Sequence, residues 1–298
     1  MNAAVIRSLA LGIAVAIGPV TLAQGQQDFS AVQIKTTKLA PNFYGLEGSG
    51  GTMGALVGAD GVFVVDSQYA QLTDKLVAAI GQVSNGGRIR FLVNTHVHPD
   101  HTGGNENFAK LGVTLLSRDE LRTRLAVPGR GGPPPAASLP LLTYRDRVTL
   151  HMNGEDVQLI PVPAAHTDGD TMVYFPASDV IMIGDFYRSI QYPNIDRANG
   201  GSLQGMLNGL SQAVTLAGPA TKIVPGHGPV VDKTAVAAHR DMIVTVRDRV
   251  AKLVAQGQTQ EQVVAAKLLA DFEAKVQQPG TTGDRFIGQV YAELKAAK

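Results

Sequence analysis

Three histidines and a carboxylate fall within six residues of this chain, in Asn94-Thr95-His96-Val97-His98-Pro99-Asp100-His101. Imidazoles and carboxylates are ligands of divalent cations, and packing them this densely points to a metal site. His96 and His98 stand at the exit of the run Arg90-Phe91-Leu92-Val93. Residues two apart at a strand end face the same side, so both imidazoles can serve one ion. Pro99 cannot continue a strand, and the turn it imposes carries Asp100 and His101 to a neighbouring position. A second ion is implied.

Such a motif needs a buried strand behind it, and Ile89 to Val93 has the composition of one. Upstream, Ala31 to Lys38, Asn42 to Glu47, Gly54 to Val57 and Val62 to Asp66 read as a run of antiparallel strands punctuated by Gly, Pro and Asp. Gln71 to Val83 places apolar residues at Leu72, Leu76, Val77, Ile80 and Val83, a helical spacing that Gly86-Gly87 ends. Thr102 to Leu111 reads as the helix after the motif and Val113 to Leu116 as a short buried strand. Val127 to Leu142 contains Pro128, Gly129, Gly131, Gly132 and the triplet Pro133-Pro134-Pro135, so it is a loop, either a surface connection or a lid.

Strand patterns return at Arg147 to Leu150, Val157 to Pro161, Met172 to Phe175, Val180 to Ile183 and Lys222 to Val224. Helical patterns occupy Leu203 to Leu216, Thr234 to Ala255, Gln260 to Leu269 and Asp284 to Ala296. Both halves mix strands and helices, with no linker between them. The simplest architecture is one α/β domain over residues 24–298, built of two strand-plus-helix halves.

The 298 residues suffice for a large core. Met1 to Ala23 carries one basic residue, Arg7, the apolar run Leu9 to Ile17, a Gly18-Pro19 break and Thr21-Leu22-Ala23. That pattern is a secretory signal peptide, its apolar run short of the ~18 residues that a spanning helix needs. The expectation is a secreted, periplasmic protein with no stable membrane anchor. Losing residues 1–23 removes Arg7 and no acid, which leaves 25 acidic residues balanced by as many basic ones. A neutral chain has no electrostatic basis for holding nucleic acid. The absence of cysteine removes thiolates both as ligands and as nucleophiles.

Of the seven histidines, His166 and His227 also stand where a strand gives way to a turn, in Ala165-His166-Thr167-Asp168-Gly169-Asp170 and Pro225-Gly226-His227-Gly228-Pro229. Asp185 follows the buried run Val180 to Gly184, a place from which a carboxylate can bridge two cations. His151 and His239 lie in ordinary strand and helix patterns. An imidazole and carboxylate set suits Zn2+, with Mn or Fe open on ligand type alone.

The spacing of His96, His98, Asp100 and His101, followed by His166, Asp185 and His227, resembles the metallo-β-lactamase superfamily over nearly the whole mature chain. The resemblance implies a four-layer αββα sandwich with the site at one edge of the two sheets. It also implies that His96, His98 and His166 hold one metal and Asp100, His101 and His227 the other, with Asp185 touching one or both. Oxygen-reducing diiron relatives typically carry glutamate at the His98 position, so the resemblance is to the hydrolases. Zinc β-lactamases usually have cysteine or serine at the Asp185 position, whereas aspartate is the pattern of glyoxalase II, lactonases and phosphodiesterases. Arg188 resembles the cation that grips the lactam carboxylate in β-lactamases, and Asn194 resembles their oxyanion asparagine.

Two cations about 3.5 to 4 Å apart lower the pKa of a bridging water and supply a metal-bound hydroxide near neutral pH. Asp100 is the expected catalytic carboxylate, orienting that nucleophile and shuttling its proton. The expected function is a periplasmic dizinc hydrolase of a small-molecule lactam or similar cyclic amide or ester. The alternatives are hydrolysis of a lactone, other ester, thioester or phosphodiester, and below these a metal-binding protein without turnover.

Overall fold

A computed structural model describes residues 28–129, 132–278 and 282–296. The expected signal peptide, residues 1–23, lies outside them, and among the described residues no helix is long and apolar enough to cross a membrane.

Seven strands form the first sheet in chain order: β1 (Lys35–Ala40), β2 (Phe43–Glu47), β3 (Met53–Leu56), β4 (Val62–Val65), β5 (Ile89–Val93), β6 (Thr114–Arg118) and β7 (Leu142–Tyr144). β1 to β4 pair antiparallel, and β4 to β7 pair parallel. The parallel connections need crossovers. Helix α1 (Thr73–Val83) makes one of them, and α2 (Pro99–Thr102) with α3 (Asn105–Lys110) makes the next. The second sheet contains β8 (Val148–Met152), β9 (Glu155–Pro161), β10 (Thr171–Phe175), β11 (Val180–Gly184) and β12 (Lys222–Pro225), in the order β12-β11-β10-β9-β8. Helices α5 (Leu203–Leu216), α6 (Lys233–Ala255), α7 (Gln260–Ala265) and α8 (Thr282–Ala296) cover its outer face.

Strand alternation sorts the apolar residues into three layers. Phe63 and Val65 of β4 enter the space between the sheets, with Phe43, Leu159, Val173, Phe175 and Met182. Val62 and Val64 of the same strand turn outward onto Leu72, Leu76 and Ile80 around α1. Ile160, Met172, Ile181 and Ile183 face Leu210, Ile243 and Phe286 of the outer helices. The result is the αββα sandwich.

Three elements depart from the sequence reading, and close contacts account for the first. The helix expected over Thr102 to Leu111 is interrupted at Gly103-Gly104, because the chain there passes against the segment after β4. A Cβ on Gly104 would lie 2.5 Å from the Ser67 carbonyl oxygen, and one on Gly103 would lie 2.5 Å from that of Pro99. The helix expected over Gln260 to Leu269 stops at Ala265, and Lys267 takes a left-handed φ of 51° shortly beyond it. A short helix, α4 (Asp119–Leu125), was not expected and buries only Leu121. Pro140 and Ser138 of the proline-rich loop accept hydrogen bonds from Arg122 (2.9 Å) and Asn105 (3.2 Å), which ties the loop to α4 and α3.

Phe175 is fully buried at the centre of the sandwich, its ring 4.4 Å from that of Phe43 and 6.1 Å from that of Phe63. Phe175→Ala is expected to cost about 3 to 5 kcal/mol in urea-induced unfolding. A loss below about 1 kcal/mol would mean that the two sheets do not depend on this contact.

Candidate metal centre

β4, β5, β9, β11 and β12 all release their chains at one edge of the sandwich, and the residues released there converge. His96, His98 and His101 follow β5, His166 follows β9, Asp185 caps β11 and His227 lies just beyond β12. Asn94 closes the β5 loop on itself: its side-chain amide donates to the His101 carbonyl at 3.0 Å and pairs with the Asn105 amide. Two glycines make room for the ligands. A Cβ on Gly51 would fall 2.1 Å from the His101 ring, and one on Gly226 would fall 2.0 Å from Asp185 Oδ1.

The seven residues form two groups, His96, His98, His166 and Asp185 in one and Asp100, His101 and His227 in the other. In each group the ligand atoms all lie within 4.8 Å of one another. Asp185 stands between them. Its Oδ2 is 4.0 Å from both His96 Nε2 and His166 Nε2 and 3.5 Å from His227 Nε2, while Oδ1 is 3.5 Å from His101 Nε2. Asp100 Oδ2 is 3.0 Å from His227 Nε2 and 3.6 Å from His101 Nε2.

The outer hydrogen bonds decide what the inner nitrogens can do. His101 Nδ1 donates to Asp66 Oδ2 at 2.7 Å, His98 Nε2 to Asp196 Oδ2 at 2.7 Å, and His166 Nδ1 to the Asn194 carbonyl at 2.7 Å. Thr95 gives its hydroxyl proton to Asp66 at 2.8 Å, so its oxygen accepts from His96 Nδ1 at 3.1 Å. Each of these rings therefore turns a lone pair inward. Inside, His98 Nδ1 and His166 Nε2 meet at 3.0 Å, and His96 Nε2, His101 Nε2, His227 Nε2 and Asp185 Oδ1 have no hydrogen-bond partner. Buried acceptors facing one another without a proton between them require cations. The donor set, imidazole nitrogens and carboxylates without sulfur, fits two divalent ions.

The charges agree. Burial raises the Asp185 carboxyl, but His101, His96, His227 and Arg188 around it outweigh this and hold it well below the usual range. Burial drives the His96 imidazole well down and that of His166 to about 4, so both are neutral donors at pH 7. Burial also lowers His101, but Asp66, Asp185 and Asp100 overcome it and lift the ring to about 9. The three carboxylates thus favour positive charge at that ring.

Sequence reasoning did not single out Asp66 and Asp196, the carboxylates that fix His101 and His98. Asp66 carried a signal, since it ends β4 as Asp185 ends β11. Thr167 donates to Asp170 Oδ1 at 2.6 Å, and Asp170 Oδ2 accepts from the His166 backbone N–H at 2.6 Å. The two expected substrate contacts are engaged elsewhere. Arg188 donates to Asp185 Oδ2 through Nη2 (2.6 Å) and Nε (3.2 Å), and to Gln191 through Nη1. The Asn194 side chain accepts from Gln289 of α8 at 2.9 Å. His151 is an exposed residue paired with Asp156, and His239 lies edge-on against Tyr187.

Residues 47–227 match the family model of the metallo-beta-lactamase superfamily. Among solved structures, a metallo-beta-lactamase from Pontibacter korlensis is similar at TM-score 0.61 and 18% identity, covering 71% of this chain and 99% of its own. The DIM-1 metallo-beta-lactamase is similar at TM-score 0.61 and 19% identity, with coverages of 72% and 99%. The stereoselective inverting sec-alkylsulfatase Pisa1 from Pseudomonas sp. is similar at TM-score 0.66 and 16% identity, covering 87% of this chain and 50% of its own. At these identities the solved structures speak for the fold, while the family model spans more than half of the chain and ends on His227, the last of the seven converging residues. The chain belongs to the metallo-beta-lactamase superfamily and is a metal-dependent hydrolase.

Proposed function

We propose that this protein is an exported dizinc hydrolase of a small cyclic or acyclic ester, a lactone ahead of a β-lactam. The observation that carries the reading is the placement of the Asp185 carboxylate between two groups of inward lone pairs. His96, His98 and His166 would hold one ion and Asp100, His101 and His227 the other, with Asp185 shared between them. Bound there, the pair of cations would make a water molecule acidic enough to attack at neutral pH and would polarise the scissile carbonyl.

The remaining work falls to the side chains. Burial raises the Asp100 carboxyl, but its contact with His227 and the nearby His101 outweigh that and keep it ionised. A carboxylate there can orient the attacking water, accept its proton and return it to the leaving oxygen. Asp66 and Asp196 hold the His101 and His98 rings in the tautomers that face inward. The ester is ranked above the lactam because Arg188 and Asn194 are committed to Asp185 and Gln289. A β-lactam is the second reading, supported by the fold shared with the lactamases, and it requires Arg188 to leave Asp185 for the substrate carboxylate. Residues 1–23 support export, and the balanced charge of the remaining chain supports a small-molecule substrate over a nucleic acid.

The reading is tested by turnover of zinc-loaded protein on an aryl acetate, a γ-lactone, a chromogenic β-lactam, a phosphodiester and an alkyl sulfate, each beside a chelator-treated sample. Chelator-sensitive hydrolysis of the ester or lactone with kcat/KM above ~10⁴ M⁻¹s⁻¹ is expected. Turnover confined to the lactam would reverse the ranking, and no turnover on any of the five would contradict the proposal.

Metal affinity carries a second prediction. Below about pH 9 a cation entering the second group must displace the His101 proton. Since binding releases that proton, affinity should rise about tenfold per pH unit from neutrality and level off once the metal-free ring is neutral. Competition with a chromophoric chelator, corrected for the chelator's own protonation, measures the slope. Affinity independent of pH over this range would show that the entering metal displaces no proton from His101.

A further inference from the structure

Next to the metal centre lies a cavity of about 340 Å³ that the chemistry above does not use. Its walls are mainly apolar, with Tyr187, Val231, Met242, Phe272 and Val276 among them. Most of the wall comes from α6 and the segments that follow it, beyond residue 227 where the family match ends. The cavity therefore belongs to this chain's own helical layer.

Three lining residues join it to the centre. Arg188 lies in the cavity wall and holds Asp185 Oδ2 at 2.6 Å. Ser189 lies beside it and donates to the His227 carbonyl at 3.4 Å. Pro229 follows His227 by two residues. Arg188 and Ser189 thus form a wall that the recess shares with the centre. Among the described residues that line the recess, Arg188 and Lys275 carry charge and none is a carboxylate. Its half-buried histidine, His239, is held neutral, since desolvation lowers the ring to about 4. Recesses of this size, apolar with a few polar groups at one end, are the usual form of small-ligand sites.

We propose that this cavity receives the apolar acyl chain of the substrate while the scissile carbonyl sits at the metal centre. The assignment rests on the ester-hydrolase reading and makes it more specific: the substrate is an ester or lactone of a medium-length aliphatic acid. Ala235 and Ala238 of α6 line the cavity with the smallest side chains in its wall, so enlarging either one fills it.

The test is calorimetric titration of butanoate, hexanoate and octanoate into the zinc-loaded full chain, each being the carboxylate that hydrolysis of such an ester releases. Affinity should rise about fourfold for each added methylene, the gain expected for burying one CH₂. In Ala238→Trp and Ala235→Phe the slope should flatten, with melting curves showing that each variant is folded. An affinity independent of chain length, or a slope that survives in both variants, would overturn the proposal. Hydrolysis of an aryl acetate by the same preparation separates the two readings. Turnover with a flat affinity series overturns the cavity alone, and a steep series without turnover of any ester removes its assignment to a substrate.

Discussion

The constraint on which the structure depends is the one set by the outer hydrogen bonds of its histidines. Once Asp66, Asp196, Thr95 and the Asn194 carbonyl have taken the protons of His101, His98, His96 and His166, the inner nitrogens have only lone pairs to offer. Crowding such nitrogens with two buried or half-buried carboxylates is unfavourable by several kcal/mol for each unpaired group unless positive charge joins them. Arg188 provides part of that charge. Two divalent cations would provide the rest.

The sandwich is what makes this crowding possible. Side chains seven residues and more apart converge only because the strands that deliver them end at one edge, and those strands end together because the layer around Phe43, Phe63 and Phe175 holds the sheets face to face. The left-handed Asp66, with φ of 65°, and the glycines at 51 and 226 are the local adjustments that bring backbone up to the ligands. A methyl group at either glycine would occupy space that His101 and Asp185 already fill. Chemistry thus sets residue types at positions where packing alone would accept others.

Much of this was legible in the sequence, and the parts that were not share a cause. Strand β5 and helix α5 carry the patterns of their elements from end to end, and the ligands are marked by residue type and by standing at strand exits. What one chain cannot display is pairing across space. Nothing local to Asn194 says that its amide meets Gln289, 95 residues away. The same holds for Asp66 and Asp196, whose partners are 35 and 98 residues distant. The break at Gly103-Gly104 depends on the neighbouring Ser67 backbone, which no helical periodicity records. The α6 wall of the cavity reads in the sequence only as an amphipathic helix.

The central claim is that the converging residues form a dinuclear site. Its most direct test is equilibrium titration of the chelator-treated protein with zinc at neutral pH, with the bound ions counted per chain. The account predicts saturation at two ions in the native chain and loss of at least one on replacing Asp185 by alanine. Saturation at one ion, or two ions held undiminished without the Asp185 carboxylate, would contradict it.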